Sequence, residues 1–252
     1  MARDAKLFAV ILAAGLGKRM KSALPKVLHQ AAGKPLIRWV ADAARGAGAS
    51  KFIAVVGPEM TDAEKAEHLR GFETVIQRER LGTGHAAQQA APLLSDADEV
   101  LVLCGDVPCI SAATLRNLAE ARRRDDAAAA VLSMVLDDAG AYGRIIRSKT
   151  DSSCVERIVE ARDCAPEELA VNEVNSGTYV FRRADLLRGL SSLKSDNAQQ
   201  EYYLTDVVRD CALHDGRVAG VIAGDPGEML GVNTPDELGV VERYLVRRGS
   251  EV

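Results

Sequence analysis

The sequence lacks several features that would place a protein in a specialised class. No apolar stretch in its 252 residues approaches the ~20 residues that a membrane-spanning helix needs, so we expect no membrane contact. Its five cysteines are odd in number and include no Cys-x-x-Cys pair, which argues against a zinc site or a disulfide framework. Reduced thiols instead indicate a cytoplasmic protein. The formal net charge of −4 argues against a general nucleic-acid binder, because such proteins usually carry a basic face.

Two common nucleotide-binding motifs are also missing from the glycine-rich turn near the N-terminus. Met20 stands where the dinucleotide-binding pattern Gly-x-Gly-x-x-Gly has its third glycine, which weakens the case for a nicotinamide-dependent dehydrogenase. No Gly-Lys-Ser/Thr closes the turn, so it is not a P-loop either.

An apolar run that begins at Phe8 leads into the turn Gly15-Leu16-Gly17. Four cations follow, at Lys18, Arg19, Lys21 and Lys26. Small residues let backbone N–H groups approach an anion, and the cations follow where phosphates would lie. The segment therefore points to a nucleoside triphosphate, with a tight turn and a solvated loop as the alternative.

Apolar strands alternate with helices through the first half of the chain. The pattern predicts an α/β fold with a Rossmann-like, mostly parallel central sheet flanked by helices. The predicted strands are Leu7–Leu12, Phe52–Val56, Thr74–Ile76, Val100–Leu103, Ala128–Val135, Ser176–Phe181 and Val218–Ala223, with a hairpin of Tyr142–Arg147 and Val155–Val159. The predicted helices are Pro35–Ala44, Thr61–Leu69, Gly84–Leu94, Ala112–Arg124, Ala184–Leu190, Tyr203–His214 and Pro235–Arg248.

The domain organisation follows from the same pattern. No linker rich in Pro, Gly or Ser divides the chain, and no internal repeat is visible. We expect one domain over residues 1–234, in which residues 138–215 form an inserted lobe, followed by a C-terminal helical segment at 235–252.

Three turns follow strands of the predicted sheet and carry polar residues. They are Ala13–Lys26, Gln77–Thr83 and Gly105–Pro108. Ligands of open α/β sheets bind outside the carboxyl ends of the strands, so these turns are expected to line one crevice.

Several residues in or near these turns have a chemical interpretation beside a structural one. Asp106 could hold Mg²⁺ through one oxygen or cap the next helix, and Asn233 could supply a second oxygen or only form a turn. Gln77 could read a base edge, or its loop could simply lead into a helix. Glu160 and Asn175 suit sugar hydroxyls but on position alone are ordinary polar residues.

Together these segments resemble the sugar-phosphate nucleotidyltransferases. The stretch Leu12–Met20 followed by Leu24-Pro25-Lys26 is similar to the signature of that superfamily. Further stretches resemble the uridylyltransferase domain of the bacterial GlmU family, over about Leu7 to Leu245: Leu81–Ala86, Gly105–Pro108, Tyr142–Ile145, Asn172–Gly177 and Asn197–Asp206.

The resemblance implies a set of roles. Arg19 and Lys26 would act on the phosphates as catalytic residues, and Asp106 and Asn233 would be the ligands of a Mg²⁺ cofactor. Residues 138–215 would be the sugar-binding lobe and the C-terminal helix the start of a linker arm. The implied substrate-binding residues are Leu12, Ala13, Ala14, Gly15, Lys26, Gln77, Gly82, Thr83, Cys104, Gly105, Asp106, Gly143, Glu160, Asn175 and Asn233.

The resemblance also implies the substrates, UTP and N-acetylglucosamine 1-phosphate. Two positions depart from the family pattern near them, Arg80 in place of a usual Gln and Cys104 in place of a frequent Tyr. The sequence contains no hexapeptide repeats after the predicted C-terminal helix. We therefore expect that this chain does not transfer acetyl groups and that it is a monomer. A nucleotidyltransferase for another sugar 1-phosphate or nucleotide, and a non-catalytic UDP-sugar binder, are the competing interpretations.

Overall fold

A computed structural model describes residues 5–214 and 216–249 of the chain. Its strands are β1 (Leu7–Ala13), β2 (Gln30–Ala31), β3 (Lys34–Pro35), β4 (Lys51–Val56), β5 (Glu73–Ile76), β6 (Glu99–Cys104), β7 (Ala129–Val135), β8 (Arg144–Arg147), β9 (Val155–Val159), β10 (Glu173–Arg182) and β11 (Val218–Ile222). Its α-helices are α1 (Leu36–Gly46), α2 (Asp62–His68), α3 (Thr83–Ala90), α4 (Ala112–Arg124), α5 (Pro166–Leu169), α6 (Arg183–Ser192), α7 (Leu204–His214) and α8 (Pro235–Gly249).

The central sheet has the order β11-β7-β10-β6-β1-β4-β5. Strands β5, β4, β1 and β6 pair in parallel, and so do β7 and β11. Strand β10 lies antiparallel between β6 and β7, and its first residues also pair with β8 of the β8–β9 hairpin. The N-terminal end of β10 therefore lies at the same edge of the sheet as the carboxyl ends of its neighbours.

Side chains of β1 enter two separate cores because successive residues of a strand point to opposite faces. Leu7, Ala9 and Ile11 pack in one cluster with α1 and α4. Phe8 and Val10 pack in another with α3, α6 and α7. With both faces covered by helices, β1 is apolar throughout, as the sequence predicted.

A third, smaller cluster supports the glycine-rich turn from below. Met20 is buried there against Leu36, Cys109 and Val232, together with Val241 and Leu245 of α8. The C-terminal helix thus packs beneath the segment that carries the cations, although it is far from it in sequence.

The predicted α/β class and mostly parallel sheet are confirmed, with shifts at several boundaries. Helix α3 ends at Ala90, earlier than predicted, because Pro92 cannot donate the next helical hydrogen bond and a 3₁₀ turn follows at Ala91–Leu93. The short hairpin β2–β3 and helix α5 were not predicted from the sequence. Residues 250–252 of the predicted C-terminal segment lie outside the described residues.

No helix in the described ranges is long and apolar enough to cross a membrane.

Candidate active site

A cavity of about 270 Å³ opens where β1, β5 and β6 end. The turns after these strands meet there, as expected for ligand sites of open α/β sheets. The cavity is lined by Leu12, Ala13, Ala14, Gly15, Lys26, Val27, Gln77, Arg80, Gly82, Thr83, Ala86, Cys104, Asp106 and Glu201. Ten of the residues predicted from the sequence are among them.

Lys26 joins the two predicted metal ligands at one end of this cavity. Its Nζ donates to Asn233 Oδ1 at 2.9 Å and forms an ion pair with Asp106 Oδ2. The lysine side chain is only 11% exposed, so this ammonium lies in a partly desolvated place. Asp106 and Asn233 lie 80 and 207 positions from Lys26 in the chain, and the fold brings all three side chains to one point.

Local backbone geometry explains how these side chains reach each other. Gly17 has a φ of +57°, and a Cβ at that position would lie 2.8 Å from Cβ of Lys26. The absence of a side chain at Gly17 therefore lets the Lys26 segment pack against the turn. On the other side, the Val232 N–H donates to the Asp106 carbonyl at 2.9 Å, which holds the Asn233 loop beside the end of β6.

The pair of oxygens around Lys26 Nζ fits a divalent cation. Asp106 Oδ2 and Asn233 Oδ1 already converge on one positive charge. Carboxylate and amide oxygens are hard donors, and Mg²⁺ uses one or two carboxylates together with substrate phosphates. Over the described ranges, no group of three or more His, Cys, Asp or Glu side chains is placed to hold a metal by itself. A metal here would thus be shared with a phosphate-bearing substrate.

The predicted base-reading loop is held by Gln77, which is 4% exposed. Its Nε2 donates to the Gly82 carbonyl at 3.0 Å and lies 3.2 Å from His85 Nδ1. The same loop is tied to the start of α7, because the Leu204 N–H donates to Thr83 Oγ1 at 3.1 Å. This wall of the cavity is therefore built from the loop after β5, the start of α3 and the segment that leads into α7.

The predicted sugar-binding residues form a second group beyond β6. The Asn175 N–H donates to the Gly143 carbonyl at 2.8 Å, and Asn175 Nδ2 donates to the Tyr179 hydroxyl at 2.7 Å. Glu160 accepts a hydrogen bond from Thr205 Oγ1 at 3.1 Å, and burial raises the pKa of its carboxyl, helped by nearby Asp163. This group offers hydroxyl, amide and carboxyl groups to a polar ligand.

Cys104 lies between the two groups. Burial first, and the charge of Asp106 second, raise the pKa of its thiol to about 12. The thiol is therefore protonated near neutral pH and is a poor nucleophile. Gly177 has a φ of +76°, and a Cβ at that position would lie 3.0 Å from the Cys104 sulfur. Next to Cys104, the Gly105 N–H donates to the Leu12 carbonyl at 2.9 Å.

Some predicted residues lie outside the cavity wall. Arg19 is exposed in the 3₁₀ turn Lys18–Met20 and is not among the lining residues. Conversely, Glu201 and Arg80 line the cavity but were not assigned to the site from the sequence. In the sequence, Arg80 stands out only as a departure from a family pattern, and Glu201 is one residue of the stretch Asn197–Asp206 that resembles the family.

Sequence comparison finds relatives that match almost the whole chain. GlmU of Burkholderia mallei strain SAVP1, described as a bifunctional protein, is 45% identical over 94% of this chain and 52% of its own length. The bifunctional GlmU of Burkholderia thailandensis is 45% identical over 96% of this chain and 52% of its own length. The chain thus spans about half the length of these curated relatives.

Two further comparisons concern the fold and the family. The crystal structure of a UDP-glucose pyrophosphorylase complexed with UDP-glucose superposes with a TM-score of 0.76 at 19% identity, covering 97% of this chain and 99% of that one. At that identity the likeness concerns the fold. The model of the MobA-like NTP transferase domain matches residues 9–209, so the chain is a nucleotidyltransferase domain and belongs to the MobA-like NTP transferase family.

Proposed function

We propose that this chain transfers a uridylyl group from UTP to N-acetylglucosamine 1-phosphate, giving UDP-N-acetylglucosamine and pyrophosphate. The observation that carries the proposal is the convergence of Lys26, Asp106 and Asn233 at one end of the cavity. The Lys26 ammonium, together with a metal ion that the Asp106 and Asn233 oxygens would hold, would suit a reaction in which several phosphate charges must be brought together.

The identity of the acceptor rests on sequence similarity. The 45% identity with GlmU proteins extends over nearly the whole chain and includes the segments that form the second, polar group of residues. Gly143, Glu160 and Asn175 supply backbone and side-chain groups that suit the hydroxyls and the acetamido group of an amino sugar. Binding of UTP would place the uracil against Gln77, Gly82 and Thr83.

The reaction we propose is an in-line displacement at the α-phosphorus of the nucleotide. An oxygen of the sugar phosphate forms a bond to that phosphorus, and the bond to the bridging oxygen of pyrophosphate breaks. The sugar phosphate is already anionic near neutral pH, so no general base is needed. Catalysis then depends on alignment and on neutralising charge.

In this scheme the residues of the chain have separate tasks. Lys26 would neutralise charge at the attacked phosphate, and Arg19 would stabilise the charge on departing pyrophosphate. Asp106 and Asn233 would hold Mg²⁺, which supplies further neutralisation of phosphate charge when bound. The backbone from Leu12 to Gly15 would contact the nucleotide directly.

The deciding experiment is a pyrophosphate-release assay with purified protein. UTP, CTP, GTP and dTTP are each combined with N-acetylglucosamine 1-phosphate, glucose 1-phosphate or N-acetylgalactosamine 1-phosphate, with Mg²⁺ and then with EDTA. The expected result is Mg²⁺-dependent release that is fastest with UTP and N-acetylglucosamine 1-phosphate.

Other outcomes would identify the competing functions. Faster turnover with glucose 1-phosphate, or with another nucleotide, would overturn the proposed specificity while keeping the reaction class. Tight binding of UDP-N-acetylglucosamine without any pyrophosphate release would indicate a binding protein.

A further inference from the structure

Arg80 ties together the turns that follow three strands of the sheet. It lies in the loop after β5, and its Nε donates to the carbonyl of Ala14, just after β1, at 2.7 Å. Its Nη2 forms an ion pair with Glu59, in the turn after β4. The side chain is 29% exposed and lines the cavity, so the contact lies at the wall of the site.

The geometry of the guanidinium makes this contact specific. Nε–H and one Nη2–H lie on the same rigid edge, so two acceptors can be held at a fixed separation. Here the two acceptors belong to different turns, a backbone carbonyl of Ala14 and the carboxylate of Glu59. A lysine carries the same charge on a single ammonium and lacks this fork.

The fold leaves room for the ion pair at Gly57. A Cβ at this position would lie 2.3 Å from Glu59 Oε1 and 2.6 Å from Arg80 Nη2. Gly57 is buried at the end of β4, and any side chain there would push the two charged groups aside. Arg80 and Glu59 thus form the ion pair, and the missing side chain at Gly57 leaves space for it.

We propose that Arg80 is a positioning residue for the nucleotide: it acts through the Ala14 carbonyl, and Glu59 and Gly57 hold it in place. The backbone from Leu12 to Gly15 lines the cavity, so its alignment decides how well a nucleotide fits. Because Glu59 neutralises the guanidinium, Arg80 orders the backbone rather than contributing a free cation to the phosphates. The nucleotide named in the test, UTP, rests on the function proposed above.

The test combines binding, kinetics and hydrogen exchange on the full chain. Arg80→Ala, Arg80→Lys, Glu59→Gln and Gly57→Ala are compared with Arg78→Ala, an exposed arginine of the same loop, as the matched control. UTP affinity is measured by calorimetry with Mg²⁺, and kcat and KM for UTP by pyrophosphate release. Hydrogen–deuterium exchange of the peptide covering residues 12–17 is followed without any substrate.

The expected result is a weakening of UTP binding by about tenfold in Arg80→Ala, the usual size for losing a hydrogen bond from a charged group. KM should rise while kcat changes much less, and the 12–17 peptide should exchange faster. Arg80→Lys should behave like Arg80→Ala, and Arg78→Ala like the wild type. Gly57→Ala should change binding in the same direction but less, because the flexible ends of Glu59 and Arg80 can shift away from the new Cβ. In the double variant Arg80→Ala/Glu59→Gln, the effects should not add.

Several results would overturn the proposal. Tighter UTP binding by Glu59→Gln, or wild-type behaviour of Arg80→Lys, would mean that Arg80 serves as a charge on the phosphates. Unchanged exchange of residues 12–17 in Arg80→Ala would mean that no positioning occurs. If the wild type does not bind UTP at all, the proposed function fails, whereas the exchange experiment still decides the role of Arg80.

Discussion

At the scale of single residues, the role of each side chain depends on its neighbours. Lys26 is one of four cations in a basic segment, yet it is the one placed between Asp106 and Asn233. Lys18 and Lys21, only a few positions earlier, are exposed. Burial and partners, more than residue type, therefore separate a site residue from a surface charge.

Removing either charge of the Lys26–Asp106 pair should reduce catalysis strongly. We expect Lys26→Ala and Asp106→Ala each to lower turnover at least about 10²–10³-fold, the usual cost of losing one contact to developing charge. Steady-state pyrophosphate release is the measurement, with thermal melting to check folding. Lys18→Ala is the matched control and should keep near-wild-type turnover, and near-wild-type rates for the two site variants would contradict their roles.

Gly82 should be more sensitive to substitution than other glycines of similar conformation. Its φ is +105°, and a Cβ would lie 2.6 Å from the Tyr202 carbonyl oxygen. Gly71 has a φ of +87° but open space around it, so Gly71→Ala should cost only the conformational strain of about 1–2 kcal/mol. Urea denaturation should show a larger loss of unfolding free energy for Gly82→Ala, and equal losses would refute the argument.

Glu160 should make stability depend on pH in a definite direction. Burial, aided by nearby acidic groups such as Asp163, raises the pKa of its carboxyl, so the folded state holds the proton more tightly than the unfolded chain. The Glu160 carboxyl therefore contributes most to the unfolding free energy below its unfolded pKa of about 4.3. This contribution is lost as the pH rises through the pKa of the folded state.

The unfolding free energy of the wild type should therefore decline relative to Glu160→Gln as pH rises from about 4. Urea titrations of both proteins across this pH range measure the difference. Parallel stability curves for the two proteins would show that the carboxyl is not perturbed.

At the scale of elements, helix α8 has a part in the site although it lies at the far end of the chain. Glu237 in its first turn accepts from the Asn233 N–H at 2.6 Å and from the Thr234 N–H at 2.9 Å. Val241 and Leu245 bury its apolar side in the cluster that contains Met20. One helix thus orients a predicted metal ligand and supports the glycine-rich turn.

Truncating an apolar side chain on the buried side of α8 should lower the unfolding free energy by a measurable amount. Leu245 is 3% exposed, and Leu245→Ala should lower the unfolding free energy by about 2–5 kcal/mol. Val246 is 54% exposed, and Val246→Ala should change it by less than about 0.5 kcal/mol. Chemical denaturation of both variants is the test, and similar losses would place α8 outside the core.

At the scale of the whole molecule, a ligand that bridges several turns should stabilise the fold globally. The cavity is lined by turns after β1, β5 and β6 and by Glu201 before α7. At a free UTP concentration about 100 times the Kd, with Mg²⁺, we expect a gain of about 2.7 kcal/mol in unfolding free energy. Chemical denaturation with and without UTP measures this gain. Asp106→Ala should show a smaller gain at the same UTP concentration. No gain in the wild type would exclude UTP binding at this cavity.

Much of the fold could be predicted from the sequence because its signals are local. The all-apolar runs of β1 and β6 indicated strands covered on both faces, and Gly46 and Pro92 lie close to helix ends. The turns at Gly15 and Asp106 were expected to meet, since carboxyl ends of parallel strands share one edge. The β2–β3 pair and α5 are too short to leave a periodic signal.

The sequence by itself determined the α/β class, the turns that meet at the cavity and the candidate residues Lys26, Asp106, Gln77 and Asn233. Only the tertiary structure decided that Lys26 lies between Asp106 and Asn233, that Arg19 stays exposed, and that Arg80 joins Ala14 to Glu59. The physical reason is that strand periodicity and turn chemistry are local properties of the chain. Distances between side chains on separate turns are set by the order of strands in the sheet and by the packing of helices beneath them.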